Sequence, residues 1–234
     1  MSILSFKNVF YETTGLEYHD VLNPRLFVSD HLKDEINNKL LDYADKFRNF
    51  CLIKKENVID YYMTGGNCNY NYTDKSDIDV HVLVDKDSMG NRLFLDDYFW
   101  DKKYIFMINN HDEIAGYTLE PYIQDNKERI PMGQGVYSLL KRQWIQKPVN
   151  LHLDFDHNKE LNKKINTSMR LIDHSIETNR SADEARKLKK RITDIRALAI
   201  SKQGEFSIGN LVFKSLRNMG YLDRLDKHIA DNKE

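Results

Sequence analysis

The sequence predicts an α/β (α+β) fold with a mixed central sheet, followed by a helical C-terminal region. Three observations lead to this class. Short apolar runs that read as strands alternate with helix-periodic segments up to residue 150. A double glycine, Gly65-Gly66, separates two of these strands. Beyond Pro148 the chain becomes charged and helix-periodic, so we expect two regions, residues 1–150 and 151–234.

The composition is that of a folded protein with little net charge. Hydrophobic residues make up 41% of the 234 residues, which argues against a disordered chain. The 35 basic and 36 acidic side chains leave a net charge of −1, so any nucleic-acid site has to be a local patch. Cys51 and Cys68 lack metal-site spacing and are expected to be free thiols. With no signal-peptide pattern and no apolar run of membrane-spanning length, we expect a soluble, cytoplasmic protein.

The first predicted elements surround the double glycine. Helical spacing of apolar residues predicts a helix to about Phe50, with Ser29 and Asp30 at its start. Strands are predicted at Val58–Met63 and Ile78–Val84, on either side of the turn. The aromatic-rich segment from Ser88 to Asn110 is predicted to be helical. Its expected core residues are Leu93, Tyr98, Ile105 and Phe106.

The later elements complete the sheet and add the helices. Gly116–Asp125 reads as a third strand, and two shorter strands are expected at 136–140 and 143–146. Helices are predicted over residues 158–179, 181–202 and 207–219. Ser181 and Glu184 have the spacing of a capping box at the start of the second of these helices.

Two carboxylates lie where the second predicted strand begins. Asp77 and Asp79 are two residues apart, and residues i and i+2 of a strand point to the same face, on which His81 follows them. Neighbouring carboxylates repel each other unless a cation lies between them. Mg²⁺, which prefers oxygen ligands, is the cation expected here. An ordinary solvated turn is the alternative interpretation of a single Asp-x-Asp.

A third carboxylate on the next strand would complete a metal site. Glu120 lies inside the predicted strand, between apolar Leu119 and Pro121, and is the best candidate. Asp125 is a weaker one, because it lies at the strand's end. Proline has no N–H to donate to a sheet, so Pro121 predicts that this strand is at an edge or bulged. Three carboxylates can hold two metal ions about 3.5–4 Å apart for phosphoryl displacement.

The double glycine is a candidate phosphate-binding turn. Without Cβ atoms, the backbone N–H groups of Gly65 and Gly66 can approach a phosphate closely, and Asn67 can add a side-chain contact. A simple turn is the alternative for an isolated Gly-Gly. Tyr70 and Tyr72 follow in the same segment, where they either stack on a base or pack inside the fold.

The order of these features resembles the signature of the DNA polymerase β-like nucleotidyltransferase superfamily. The resemblance rests on Gly65-Gly66, a spacer, and then Ser76-Asp77-Ile78-Asp79-Val80, with Glu120 at the later acidic position. The chain departs from many members in having Gly66 where they have serine. Most of its length is also similar to a group of proteins from large tailed bacteriophages, which would place it in a host cytoplasm.

The resemblance implies a fold, a reaction and a set of roles. Superfamily members move a nucleoside monophosphate from a nucleoside triphosphate to a hydroxyl and release pyrophosphate. Asp77, Asp79 and Glu120 would then be catalytic residues and ligands of two Mg²⁺ ions, with Mn²⁺ as a substitute. The nucleotide-binding residues would be Gly65, Gly66, Asn67, Ser76, Lys187 and Lys190.

Several functional alternatives stay open at this stage. The acceptor is an RNA end, a protein side chain, a small molecule or another nucleotide, and the oligomeric state is not indicated. Lys187 and Lys190 share one face of a predicted helix, where a solvated surface is the competing interpretation. An inactive nucleotide-binding or partner-binding module with the same fold is the alternative to an enzyme.

Overall fold

The computed structural model describes residues 14–232, which fold into two compact units. The first unit, residues 18–152, contains the sheet. The second combines residues 14–17 with the segment that starts at residue 153, and it is helical. Within the described residues, no helix is both long enough and apolar enough to cross a lipid bilayer.

The sheet unit alternates strands and helices as the sequence predicts. Its described elements are β1 (Phe27–Val28), β2 (His31–Leu32), α1 (Asp34–Phe50), β3 (Val58–Thr64), β4 (Ile78–Val84), α2 (Arg92–Asn109), β5 (Glu113–Ile114), β6 (Tyr117–Asp125), β7 (Val136–Ser138) and β8 (Gln143–Gln146). Within residues 14–232, six of these strands form one sheet in the order β5-β6-β4-β3-β7-β8. Strands β4 and β6 run parallel and the other neighbours are antiparallel, so the predicted mixed sheet is confirmed.

The two faces of β4 have different characters, which positions the candidate site. Ile78, Val80 and Val82 are fully buried and pack with Phe47 of α1 and Phe106 of α2. Strand residues alternate between the two faces of a sheet, so the intervening side chains of β4 point to the opposite face. That face carries the carboxylate of Asp79.

Helix α1 begins later than the sequence predicts. Ser29 and Asp30, the predicted helix start, instead form the turn between β1 and β2. Ser29 has a φ of +54°, which a helix does not allow. The hairpin pairs Val28 with His31, so Ser29 and Asp30 form a tight turn in place of a helix cap.

The face of α2 that meets the core also differs from the prediction. Phe106 is buried as expected, but Leu93 and Ile105 are 79% and 47% exposed. The helix packs through Phe99 and Phe106, seven residues apart, so its contact stripe is rotated away from the predicted one. Because α2 is apolar on several sides, its sequence does not select a single buried face.

Pro121 is buried, and it lies in a part of β6 that pairs with β4 on one side and not with β5 on the other, as its missing N–H requires. In the described part of the chain, β5 pairs with β6 at Tyr117 and Thr118 and does not extend to Pro121. On the opposite side, β6 keeps a continuous parallel register with β4, in which Pro121 stands opposite Val80. The edge alternative is therefore confirmed, and the neighbouring Glu120 stays in register.

The helical unit contains the three predicted helices and one more. The described helices are α3 (Lys159–Glu177), α4 (Ala182–Gln203), α5 (Ile208–Asn218) and α6 (Tyr221–Asp231). The backbone N–H of Glu184 donates to the hydroxyl of Ser181, so the cap predicted for α4 is confirmed. Helix α6 was not predicted. It follows Gly220, whose left-handed backbone ends one helix and starts the next.

Candidate metal centre

Three carboxylates from two adjacent strands meet on the sheet face opposite to that of Ile78, Val80 and Val82. Asp77, Asp79 and Glu120 each offer an oxygen, and these oxygens all lie within 4.8 Å of one another. The register explains the meeting, because Asp79 of β4 pairs directly with Glu120 of β6. Asp77 comes immediately before β4 and joins them from the same side. All three residues are half-buried.

This donor set fits a divalent cation. Carboxylate oxygens are the ligands that Mg²⁺ and Mn²⁺ favour, and three of them so close together repel one another without a cation. The group therefore could hold a metal ion in the way that the sequence predicts for Asp77, Asp79 and Glu120.

Gly65 makes room for one of the carboxylates. A Cβ atom built on Gly65 would overlap the Oδ2 oxygen of Asp79, so any larger residue would push that side chain away. Gly65 also has a φ of +82°, a conformation that favours glycine. The geometry therefore gives Gly65 a specific reason to be glycine, which is the position of the Asp79 carboxylate. Phosphate contacts from Gly65 and Gly66 stay predictions.

Asn67 holds the loop that carries Asp77. Its side chain is fully buried, and its amide nitrogen donates to the backbone oxygen of Asp77 over 2.9 Å. Its amide oxygen accepts a hydrogen bond from Asn23 over 2.7 Å. Buried and bonded in this way, Asn67 is placed to position Asp77, and the direct nucleotide contact predicted for it stays a prediction.

Ser76 is also used within the loop. Its hydroxyl accepts a hydrogen bond from the backbone N–H of Thr73 over 2.9 Å, and its own N–H donates to the Thr73 carbonyl over 3.0 Å. With 6% of its surface exposed, Ser76 lies inside the turn that leads into β4. These contacts fix the path of the chain just before Asp77.

Sequence reasoning missed Asn69, which braces the glycine turn. Its amide nitrogen donates to the carbonyl of Gly65, and its amide oxygen accepts from the backbone N–H of Gly135. Asn69 is fully buried, so these bonds also satisfy polar atoms that have no access to water. The alternation of asparagine at 67, 69 and 71 is the signal that could have indicated a buried polar loop.

Lys103 is a second residue that the sequence did not indicate. Its ammonium group forms an ion pair with Glu120 from helix α2. Burial raises the pKa of Glu120, but the hydrogen bond and charge of Lys103 outweigh burial, so the net pKa lies below the ordinary value. Glu120 is consequently ionised at neutral pH. No local pattern reveals the pair, because α2 and β6 meet only in the folded chain.

His81 follows Asp79 on the same face and is held as a neutral ring. Its Nδ1 lies 2.8 Å from the side-chain oxygen of Gln124. Burial is the main cause that lowers its pKa to about 4, and the positive charge of Lys103 acts in the same direction. A neutral imidazole beside the carboxylates adds no charge to the cluster, whose charge comes from the three carboxylates and Lys103.

We expect the neutral state of His81 to make the fold sensitive to acid. Between pH 6.5 and about 4 the unfolded chain binds a proton at His81 that the folded chain does not bind. The free energy of unfolding should therefore fall as the pH decreases through this window, by up to about 3 kcal/mol. Urea titrations at several pH values measure this fall. The decrease in the free energy of unfolding over this pH range should be smaller in His81→Gln.

The matched control for this titration is His31→Gln, which removes an exposed histidine of the same unit. Its unfolding should retain the pH dependence of the wild type. An unchanged slope in His81→Gln would contradict the assignment to His81.

Lys187 and Lys190 lie in the helical unit, on α4. Lys190 forms an exposed ion pair with Asp194 one helical turn away, over 2.7 Å. Lys187 and Arg191 line a shallow cleft beside Leu171 of α3. A role for Lys187 and Lys190 in nucleotide binding stays a prediction.

Comparisons with known proteins give one distant likeness. No protein-family model matches the chain, and no curated relative was found. Among solved structures, the chain is similar to the STING-associated CdnE c-di-GMP synthase from Capnocytophaga granulosa. The match covers 86% of this chain and 83% of that one, with 12% identity and a TM-score of 0.23. A similarity this weak assigns no function, so the functional argument rests on the carboxylates and their surroundings.

Proposed function

We propose that this protein is a divalent-metal-dependent nucleotidyltransferase. It would transfer a nucleoside monophosphate from a nucleoside triphosphate to a hydroxyl group and release pyrophosphate. The observation that carries the proposal is the meeting of Asp77, Asp79 and Glu120 on one face of the sheet. Gly65 supports it, because this glycine packs against Asp79 and precedes the carboxylates in the order typical of the superfamily.

Each of the three carboxylates has its own role in the proposed reaction. Asp77 and Asp79 would hold the metal, and Glu120 would complete its ligands. Bound Mg²⁺ or Mn²⁺ supplies positive charge that offsets the negative charge of the phosphates in the transition state. The acceptor oxygen forms a bond to the α-phosphorus, the bond to pyrophosphate breaks, and the hydroxyl proton passes to a carboxylate or to water. Glu120, ionised and half-buried, is the candidate to accept it.

The remaining polar groups fix the geometry of the carboxylates. Asn67 holds the backbone of Asp77, and Asn69 holds the carbonyl of Gly65. Both asparagines are fully buried, so these groups lose little freedom when a ligand binds. Such preorganisation is the main way in which a protein accelerates phosphoryl transfer.

A module that binds nucleotide without transferring it is the second candidate. The ion pair between Lys103 and Glu120 favours it, because a cation already neutralises the third carboxylate. Asp77 and Asp79 argue against a degenerate site, since two adjacent carboxylates oppose folding unless a cation lies between them.

Transfer is tested by incubating the purified protein with each of the four α-³²P-labelled nucleoside triphosphates. The reactions contain Mg²⁺ or Mn²⁺ and a cell lysate, and the products are separated into RNA, protein and small molecules. We expect label in one class, and none with the Asp77→Ala/Asp79→Ala variant. Nucleotide binding by calorimetry without any labelled product would favour the binding module.

A further inference from the structure

Lys103 stands between the metal centre and a neighbouring cavity. Its ammonium group pairs with Glu120, and its side chain is 16% exposed. The same ammonium lies 5.7 Å from the centre of the Trp100 ring and 5.8 Å from that of Tyr122. These two aromatic residues also line a cavity of about 350 Å³ between α2 and β6, to which Lys103 contributes.

The cavity has two further cations, and both have partners of their own. Lys86 is buried and lies 2.8 Å from a carboxylate oxygen of Asp96. Arg92 lies 3.2 Å from Asp87 and 3.5 Å from the buried Asp125. Among the cations that line this cavity in the described part of the chain, Lys103 is the one paired with a candidate metal ligand.

This arrangement makes the ion pair and a bound metal competitors. A divalent cation at Asp77 and Asp79 would take a carboxylate oxygen of Glu120 as a ligand. It would also repel the ammonium group of Lys103, which lies a few ångströms away. Released from Glu120, a lysine that is mostly buried would lose its partner, and the carboxylates that line the cavity, Asp96 and Glu128, both lie against Lys86 at 2.8 and 3.5 Å. The flexible side chain of Lys103 reaches the cavity that it already lines, so an anion bound there would supply a negative charge to the ammonium group.

We propose that Lys103 is a displaceable counter-ion, which a metal ion expels from Glu120 and which then binds the phosphate group of a ligand in the cavity beside α2. The inference rests on the metal centre of the proposed function and deepens it, because it assigns a phosphate-bearing substrate to this cavity. Metal and phosphate then bind cooperatively, each strengthening the other by the same factor. Trp100, 65% exposed, gives the cavity a flat apolar wall.

The first test measures Mn²⁺ binding from the electron paramagnetic resonance signal of the free ion. Lys103→Met removes the competing ammonium, and we expect it to bind Mn²⁺ about tenfold more tightly than the wild type at pH 7.5. Lys103→Arg retains the charge and should stay within about twofold of the wild type. Circular dichroism and thermal melting establish that each variant is folded.

Lys102→Met is the matched control. Lys102 neighbours Lys103 on α2, but its ammonium lies over the rings of Phe50 and Tyr98. This variant should bind Mn²⁺ as the wild type does. Equal affinities for wild type and Lys103→Met would overturn the inference while leaving the metal centre intact. No Mn²⁺ binding by any variant would overturn both the inference and the proposed function.

The second test measures the coupling with inorganic phosphate as the probe. Calorimetry should give about tenfold tighter phosphate binding to the wild type in saturating Mg²⁺ than without metal, which is a typical coupling between two sites. The gain should disappear in Lys103→Met and persist in Lys102→Met. Phosphate binding that is equally strong with and without Mg²⁺ would contradict the displacement of Lys103.

Discussion

Replacing Asp79 with asparagine is expected to abolish nucleotidyl transfer while leaving the fold intact. Asp79 is the central member of the carboxylate cluster, because it pairs with Glu120 on one side and with Thr64 on the other. Asparagine keeps the size of the side chain but removes the charge that a divalent cation needs. We expect the rate to fall by roughly 100- to 1000-fold or more, as when a group that stabilises transition-state charge is removed. The labelled-nucleotide assay measures this loss.

The Asp79→Asn variant should lose activity without losing stability. Without a bound metal, Asp79→Asn relieves repulsion from Asp77 and Glu120, so its free energy of unfolding should equal or slightly exceed that of the wild type. Asp74→Asn is the matched control, since Asp74 lies in the loop that leads into β4 but is 83% exposed and pairs with Arg25. An active Asp79→Asn variant, or an equally inactive Asp74→Asn, would contradict the assignment of the site.

The second large effect is expected for Gly65→Ala. The added Cβ would overlap the carboxylate of Asp79, and alanine disfavours the φ of +82° that Gly65 adopts. We expect the free energy of unfolding to decrease by about 1–3 kcal/mol, the usual range for forcing a side chain into a strained backbone. Metal affinity should also fall, because Asp79 has to move. Urea denaturation and Mn²⁺ titration measure the two effects.

Gly116→Ala is the control that separates the effect of backbone strain from the steric overlap with Asp79. Gly116 belongs to the same unit and has the same φ of +82°, but a Cβ there would meet Arg25 only at an ordinary distance of 3.9 Å. It should therefore lose stability from strain alone and retain Mn²⁺ binding. If both variants bind Mn²⁺ equally well, Gly65 has no special role at the metal centre.

Much of the fold follows from local sequence patterns. Strand β4 was predicted with its observed bounds, because its apolar residues are flanked by turn residues and charged positions. The start of α1 and the buried face of α2 were predicted wrongly. In the first case a tight turn that pairs Val28 with His31 takes up the residues predicted to start the helix. In the second, the packing of Phe99 and Phe106 against other elements decides which face is buried.

The sequence by itself determined that Asp77 and Asp79 point to one side of a strand, because alternation along a strand is a local property of the backbone. It also indicated Glu120 as their partner. Only the tertiary structure decided that Glu120 stands beside Asp79, that Gly65 lies against the same carboxylate, and that Lys103 neutralises Glu120. These contacts depend on strand register and on how α2 packs beside β6. Both arise from interactions between distant segments, which no periodicity within one segment encodes.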